Sequence, residues 1–230
     1  MLNMSRTKNS RAKDCAPDIE DANRLKVAAG GDIINVFIIA CGMYLAMDKG
    51  MILHWKKEWV RPWEGKIYVP DKQVCDIGPG GKACSYCKKH GLIENGVIYW
   101  HPKGRTVAGD TGEKKFITHR NAEPREYRLF PYTREAVERM IAAYSKFPLT
   151  DKVINRRLDT MAAKAQVKRR LTPHGLRSFA IDNAFEIFQG DTEKVNRFVG
   201  WAPGSDMGIE YKNNWSYRKS LVEGVARSLI

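Results

Sequence analysis

Apolar positions recur at helical spacing along most of the chain and take strand character only in short stretches between residues 66 and 131. The longest apolar run, residues 33–47, is interrupted by Asn35, Cys41 and Gly42 and is too short to span a bilayer, so it reads as a buried core helix. Residues 133–141 and 150–167 show helical apolar spacing, each opened by a threonine N-cap, Thr133 and Thr150. Thr172 as cap and Pro173 in the first turn predict a further helix running to Gly190. Asp191 and Thr192 then cap a short helix over 193–199, which Gly200 ends. An amphipathic helix is expected from about Ser216, with Leu221, Val222, Val225 and Leu229 on or near one stripe. Strands are expected at 66–69 and 96–103, followed by a hairpin pairing 114–119 with 125–131.

Helices outnumber strands, and the strands are neighbours in sequence. The pattern predicts an α+β, mainly helical domain with a small antiparallel sheet. Residues 1–19 read as a polar tail or linker, and 20–230 as one domain with an insertion at about 72–95.

That insertion has too few apolar residues for a core of its own, but it carries Cys75, Cys84, Cys87 and His90. Cys84 and Cys87 have the C-x-x-C spacing that lets one turn offer two thiolates to zinc; His90 continues the spacing by three, and Cys75 supplies a fourth ligand across a glycine-rich reversal. A structural zinc ion would organise the segment. Free thiols in a loop or a redox pair are the alternative readings. The five cysteines, an odd number clustered mainly here, suit a reducing cytoplasm rather than a disulfide framework. Residues 1–20 are polar and charged and show no secretory signal.

Charge narrows the class of partner. Lys and Arg number 39 against 26 Asp and Glu, a net charge of +13, which favours contact with nucleic-acid phosphates through counterion release. Lys56-Lys57, Lys88-Lys89 and Lys168-Arg169-Arg170 suit either solvated faces or non-specific DNA contacts.

The chemistry concentrates after residue 171. Leu171-Thr172-Pro173-His174-Gly175-Leu176-Arg177 places His174 and Arg177 three apart on one face of a first helical turn, where free N–H groups and the positive end of the helix dipole make an anion site. A polar first-turn histidine and a solvated arginine would fit the same pattern. Gly200-Trp201 and then Tyr211 follow in order. This order resembles the C-terminal half of the tyrosine recombinases, the phage-integrase family, whose signature is a His-x-x-Arg box, a Gly-His or Gly-Trp box and then a tyrosine. His174, Arg177, Trp201 and Tyr211 match it residue by residue. Upstream, residues 46–60 resemble archaeal and archaeal-virus members, with Gly50, Ile52, His54, Glu58 and Trp59 in register. Here the position of the family's first catalytic arginine falls on Asp48, and that of its glutamate on Met51.

The resemblance covers about residues 20–230 and implies a site-specific recombinase or integrase of a virus or mobile element, acting on double-stranded DNA in the cytoplasm. Tyr211 would form a 3′-phosphotyrosyl intermediate, with no cofactor needed for catalysis. Arg177 would clamp a non-bridging oxygen, His174 would assist proton movement, and Trp201 would donate its indole N–H or pack the site. Lys103 is the match for the lysine that protonates the leaving 5′-oxygen, with Lys114, Lys115 and His119 as rivals. The C-terminal helix would pack on its own domain or dock on a neighbouring protomer. Family members usually carry a separate DNA-clamping domain ahead of the catalytic one, so the chain is expected to be an isolated catalytic domain or a short variant.

Asp48 keeps a second expectation in play. Loss of one preorganised cation at a reacting phosphate costs about 10²–10³ in rate, and a carboxylate there adds repulsion unless it turns away or is paired. Lys49 and Arg24 are the candidate substitutes. A catalytically impaired DNA-binding protein of the same fold is the alternative, and a zinc-dependent RNA- or protein-binding module with an incidental tyrosine is a third.

Overall fold

Short polar side chains open most of the helices by accepting N–H groups that the first turn leaves unsatisfied. The computed structural model describes residues 15–102, 105–108, 114–117, 125–128, 130–201 and 207–213. Asp18 caps α1 (Ile19–Ala29), Asp32 caps α2 (Ile33–Ile39) and Asp48 caps α3 (Lys49–Leu53), each taking an N–H three residues on. Cys84 does the same for α4 (Ser85–His90) through its sulfur. Helices α5 (Pro131–Ala143), α6 (Asp151–Lys164), α7 (Pro173–Ile187) and α8 (Thr192–Val199) follow, and a last helical segment, α9, occupies 207–213.

Thr172 accepts the Gly175 N–H at 3.0 Å with Pro173 behind it, as expected, but α7 stops at Ile187, short of Gly190. Gln189 and Gly190 both take positive φ and turn the chain into α8. Thr133 is not the cap of α5. Phe130 occupies that position, and Thr133, one turn in, accepts the Phe130 N–H at 2.8 Å.

The apolar run 33–47 is buried as expected but does not continue as an α-helix. After α2 the chain winds through a π turn, Ala40–Tyr44, and leaves helical geometry at Leu45; Ala46 then adopts φ +51°. Gly42 lies in this turn. A Cβ there would sit 2.9 Å from Leu176 Cβ, so the missing side chain is what lets the turn press against α7.

The strands are short and antiparallel. β1 (Val60–Arg61), β2 (Lys66–Val69) and β8 (Arg125–Arg128) form one sheet in the order β1-β2-β8. β3 (Gln73–Val74), β5 (Val97–Trp100) and β4 (Leu92–Glu94) form a second in the order β3-β5-β4, carried by the insertion. β6 (Arg105–Ala108) pairs with β7 (Lys114–Ile117). The expected hairpin of 114–119 with 125–131 is therefore replaced: β7 returns on β6, and β8 crosses to β2 with Lys66 opposite Arg128. A hairpin to the nearer strand closes a shorter loop. The expected C-terminal helix from Ser216 lies outside the described residues.

Most of the apolar side chains bury in one cluster built on α1, α2, α5, α6 and the start of α7, with Phe37, Trp55 and Phe147 in ring contact. A second, smaller cluster joins Ala46, the middle of α7, Val195 and Val199 of α8, and Tyr211. Among the described residues no helix is long and apolar enough to cross a membrane.

Candidate active site and metal centre

The second cluster holds Tyr211 and Trp201, and Arg177 borders it through Ala46. On α7, Arg177 is 7% exposed and its Nη1 donates to the Ala46 carbonyl. That carbonyl is available because Ala46 turns at positive φ behind the π segment, and because Gly42 admits Leu176 so closely. One of the five guanidinium donors is thereby used to fix the group.

Tyr211, on α9, is 4% exposed, and its hydroxyl lies 3.4 Å from Ser178 Oγ. Trp201 covers the ring, with centroids 5.4 Å apart. Burial pushes the Tyr211 phenol above its ordinary value; the Ser178 hydrogen bond and the Arg177 charge pull the other way, while Asp182 and Glu210 add to the rise. Net, the phenol is neutral at ordinary pH. α9 is seated against α8 by Gly208, where a Cβ would stand 2.2 Å from Asn196 Oδ1 and 2.6 Å from Thr192 Cγ2.

His174 is exposed on the first turn of α7. Residues 174, 177 and 178 are three and four apart on one helix, so His174, Arg177 and Ser178 share a face. Ser178 escaped notice in the sequence although that spacing was there to find it. Lys103, and with it the rival His119, lies outside the described residues.

Asp48 does not point a free carboxylate into this cluster. It is buried and serves as the cap of α3, accepting the Met51 N–H at 3.0 Å. The two cations considered as replacements for the family's first arginine are both engaged elsewhere. Lys49 Nζ is 2.6 Å from Asp151 Oδ1, and Arg24 pairs with Glu20 at 3.1 Å and Asp21 at 2.5 Å.

The metal-ligating group is His54, Cys75, Cys84 and Cys87, whose donor atoms all lie within 4.8 Å of one another. His54 Nε2 is 3.4 Å from Cys75 Sγ, 3.4 Å from Cys87 Sγ and 3.9 Å from Cys84 Sγ. A zinc ion with Zn–S of ~2.3 Å and Zn–N of ~2.0 Å places tetrahedral sulfur and nitrogen about 3.6 Å apart, so the donors fit it. His54 Nδ1 faces the Gly50 carbonyl at 2.8 Å, which assigns the proton to Nδ1 and leaves Nε2 for the metal. The Cys75 thiol is drawn down to about 3, chiefly by a hydrogen bond from Cys87, with His54 and the Cys84 N–H helping against burial.

His90 is corrected from the expected ligand set. Cys84 and Cys87 lie at the start of α4, whereas His90 is its last residue, exposed, with its ring 4.9 Å from Tyr86. Three further residues carry it about 4.5 Å along the helix axis, away from the thiols. His54 comes instead from the end of α3, stacked on Trp100 at 4.8 Å, which stacks in turn on Trp59 at 5.5 Å. Gln73 ties the three together, accepting from Trp59 Nε1 and donating to the His54 carbonyl. No local spacing announced His54: its partners begin twenty-one residues later.

This arrangement, mainly helical with small antiparallel sheets, has the fold of a tyrosine recombinase, and three cysteines of the insertion with His54 from the end of α3 form a group that could bind zinc. The solved structure of XerA recombinase is similar to it, with a TM-score of 0.54 at 14% sequence identity. The likeness covers 91% of this chain and 64% of that one, so the chain spans less than two thirds of the recombinase it matches. No family model and no curated protein matches the sequence.

Proposed function

We propose that this chain breaks and rejoins DNA strands in site-specific recombination or integration, with Tyr211 as nucleophile. The observation that carries the reading is that Tyr211 and Trp201 share one small buried cluster with Ala46, whose carbonyl holds Arg177 within electrostatic reach of Tyr211, in a fold shared with a recombinase. The Tyr211 oxygen bonds to phosphorus as the bond from phosphorus to the 5′-oxygen breaks, leaving a 3′-phosphotyrosine; religation reverses both changes. Arg177 takes up the charge gained by a non-bridging oxygen, with the donors not given to Ala46. His174 accepts the phenol proton, and Lys103 gives one to the departing 5′-oxygen.

His54, Cys75, Cys84 and Cys87 hold a structural zinc ion in this reading. It takes no part in the chemistry and fixes the insertion to the end of α3. The partner is double-stranded DNA, on which copies of the chain associate, in the cytoplasm.

Asp48 supports a second reading, a DNA-binding protein of the same fold that cleaves poorly or not at all. Its carboxylate replaces the family's first arginine, and neither Lys49 nor Arg24 is free of an acid partner. A nicked suicide substrate resolved on denaturing gels separates the two. A covalent adduct that disappears in Tyr211→Phe establishes the enzyme. An adduct formed only by Asp48→Arg establishes the impaired form, and an adduct that survives Tyr211→Phe refutes the assignment.

A further inference from the structure

The basic clusters visible in the sequence differ in what the fold leaves free. Arg169 is bound to Asp18 and Asp21, both at 3.1 Å, which offsets the charge of its neighbours Lys168 and Arg170. Lys56 lies 3.2 Å from Asp76. Lys57, Lys168 and Arg170 are exposed and make no ion pair among the described residues, and the same holds for Lys82, Lys88 and Lys89, which lie together in the insertion. Lys88 and Lys89 sit in the last turn of α4, where cations are favoured by the peptide dipoles. Beside them the exposed Tyr86 ring meets His90.

This face is tied to the rest of the fold. Cys84 and Cys87 anchor α4 to the metal group, and α4 packs on β5, whose Trp100 indole nitrogen would be 3.4 Å from a Cβ at Gly50. Gly50 lies in the first turn of α3, four residues after Ala46, whose carbonyl holds Arg177. The insertion and the segment that holds Arg177 are therefore joined through α3.

We infer that Lys82, Lys88 and Lys89 form a second contact with the DNA phosphate backbone, a fixed basic knuckle flanking the site of strand cleavage. The inference rests on the DNA reading above and deepens it. Lys88 and Lys89 sit on a helix and Lys82 two residues before its cap, so a phosphate contact there orders side chains without also having to order a loop.

The test is DNA binding by fluorescence anisotropy across a salt series, comparing the whole chain with Lys82→Gln/Lys88→Gln/Lys89→Gln and with Lys168→Gln/Arg170→Gln. Zinc content and circular dichroism confirm that each variant is folded and loaded. Each phosphate contact adds about 0.9 to the log–log salt slope, so losing two or three lowers it by about 2–3. The original chain then loses roughly 10–40-fold more affinity than the triple variant between 50 and 200 mM salt. An unchanged slope in a folded, loaded triple variant overturns the knuckle and leaves its face for a protein partner; an equal fall in the Lys168/Arg170 control overturns it too, as general surface charge. Adduct formation is scored on the same samples. A lowered slope with no Tyr211 adduct keeps the knuckle while rejecting the enzyme, and a chain that binds no DNA rejects both.

Discussion

The seat of Tyr211 can be tested by adding a single methyl group. In Gly208→Ala the new Cβ would begin 2.2 Å from Asn196 Oδ1 and 2.6 Å from Thr192 Cγ2, whereas ordinary contact begins near 3.4 Å. α9 must retreat by about 1.2 Å, or α8 must give by the same amount. Overpacking of this kind costs about 1–3 kcal/mol. If α9 comes away altogether, the loss approaches the ~1.5–3 kcal/mol of burying a large side chain. Equilibrium urea unfolding measures the cost, and tyrosine ionisation followed by absorbance reports whether Tyr211 has become exposed. Asn196 supplies the control, because its Oδ1 is buried without a hydrogen-bond partner. Asn196→Ala removes the closer obstacle, so the double variant should recover more than half of the lost stability, a coupling that a double-mutant cycle isolates. The remainder belongs to Thr192. A Gly208→Ala protein as stable as the parent, or a double variant whose losses simply add, would refute the packing argument. If DNA cleavage is active, a displacement of about 1 Å also predicts ~10²-fold slower adduct formation.

Other expectations follow from the same geometry. His54→Ala should abolish stoichiometric zinc binding, measured by metal content after dialysis, while His90→Ala retains it; the reverse result would restore the spacing-based ligand set. The Tyr211 phenol has its folded value raised, so its contribution to stability is fully present below about pH 10, the ordinary tyrosine value, and is lost as pH rises through the folded value. The stability difference between the parent and Tyr211→Phe should therefore be flat at neutral pH and shrink only in the alkaline range, as followed by unfolding at several pH values. Asp48→Ala removes the cap of α3 and should cost about 1 kcal/mol in urea unfolding. A null effect would mean that the carboxylate is not held by the Met51 N–H.

Local signals made much of this molecule readable in advance. Thr172, Pro173 and Asp191 mark helix starts through side-chain geometry that acts over three residues, and the structure uses each of them in its first turn. The helical spacing of His174 and Arg177 likewise needed no tertiary information. The misreadings share a different origin. Nothing within 114–131 distinguishes a return to β6 from a hairpin with β8, because strand partners are chosen by the closed fold and not by alternation. Thr133 looked like a cap because a threonine one turn inside a helix can accept the same kind of N–H. His54 could not be found by counting from the cysteines, since the core and not the insertion donates it. The π turn at Ala40–Tyr44 leaves no mark on hydropathy, and the close approach of Leu176 that Gly42 admits is visible only in the fold.

The borrowed ligand also bears on the order in which the chain acquires its shape. Residues 72–95 supply three donors of the assembled group but not His54, so a peptide of that length should bind zinc more weakly than the whole chain. Complete coordination needs α3 to present His54 to the thiols, so an ion held by all four donors would lock the insertion onto α3. A protein holding zinc in that way would have α3 in place, three residues beyond the carbonyl on which Arg177 leans.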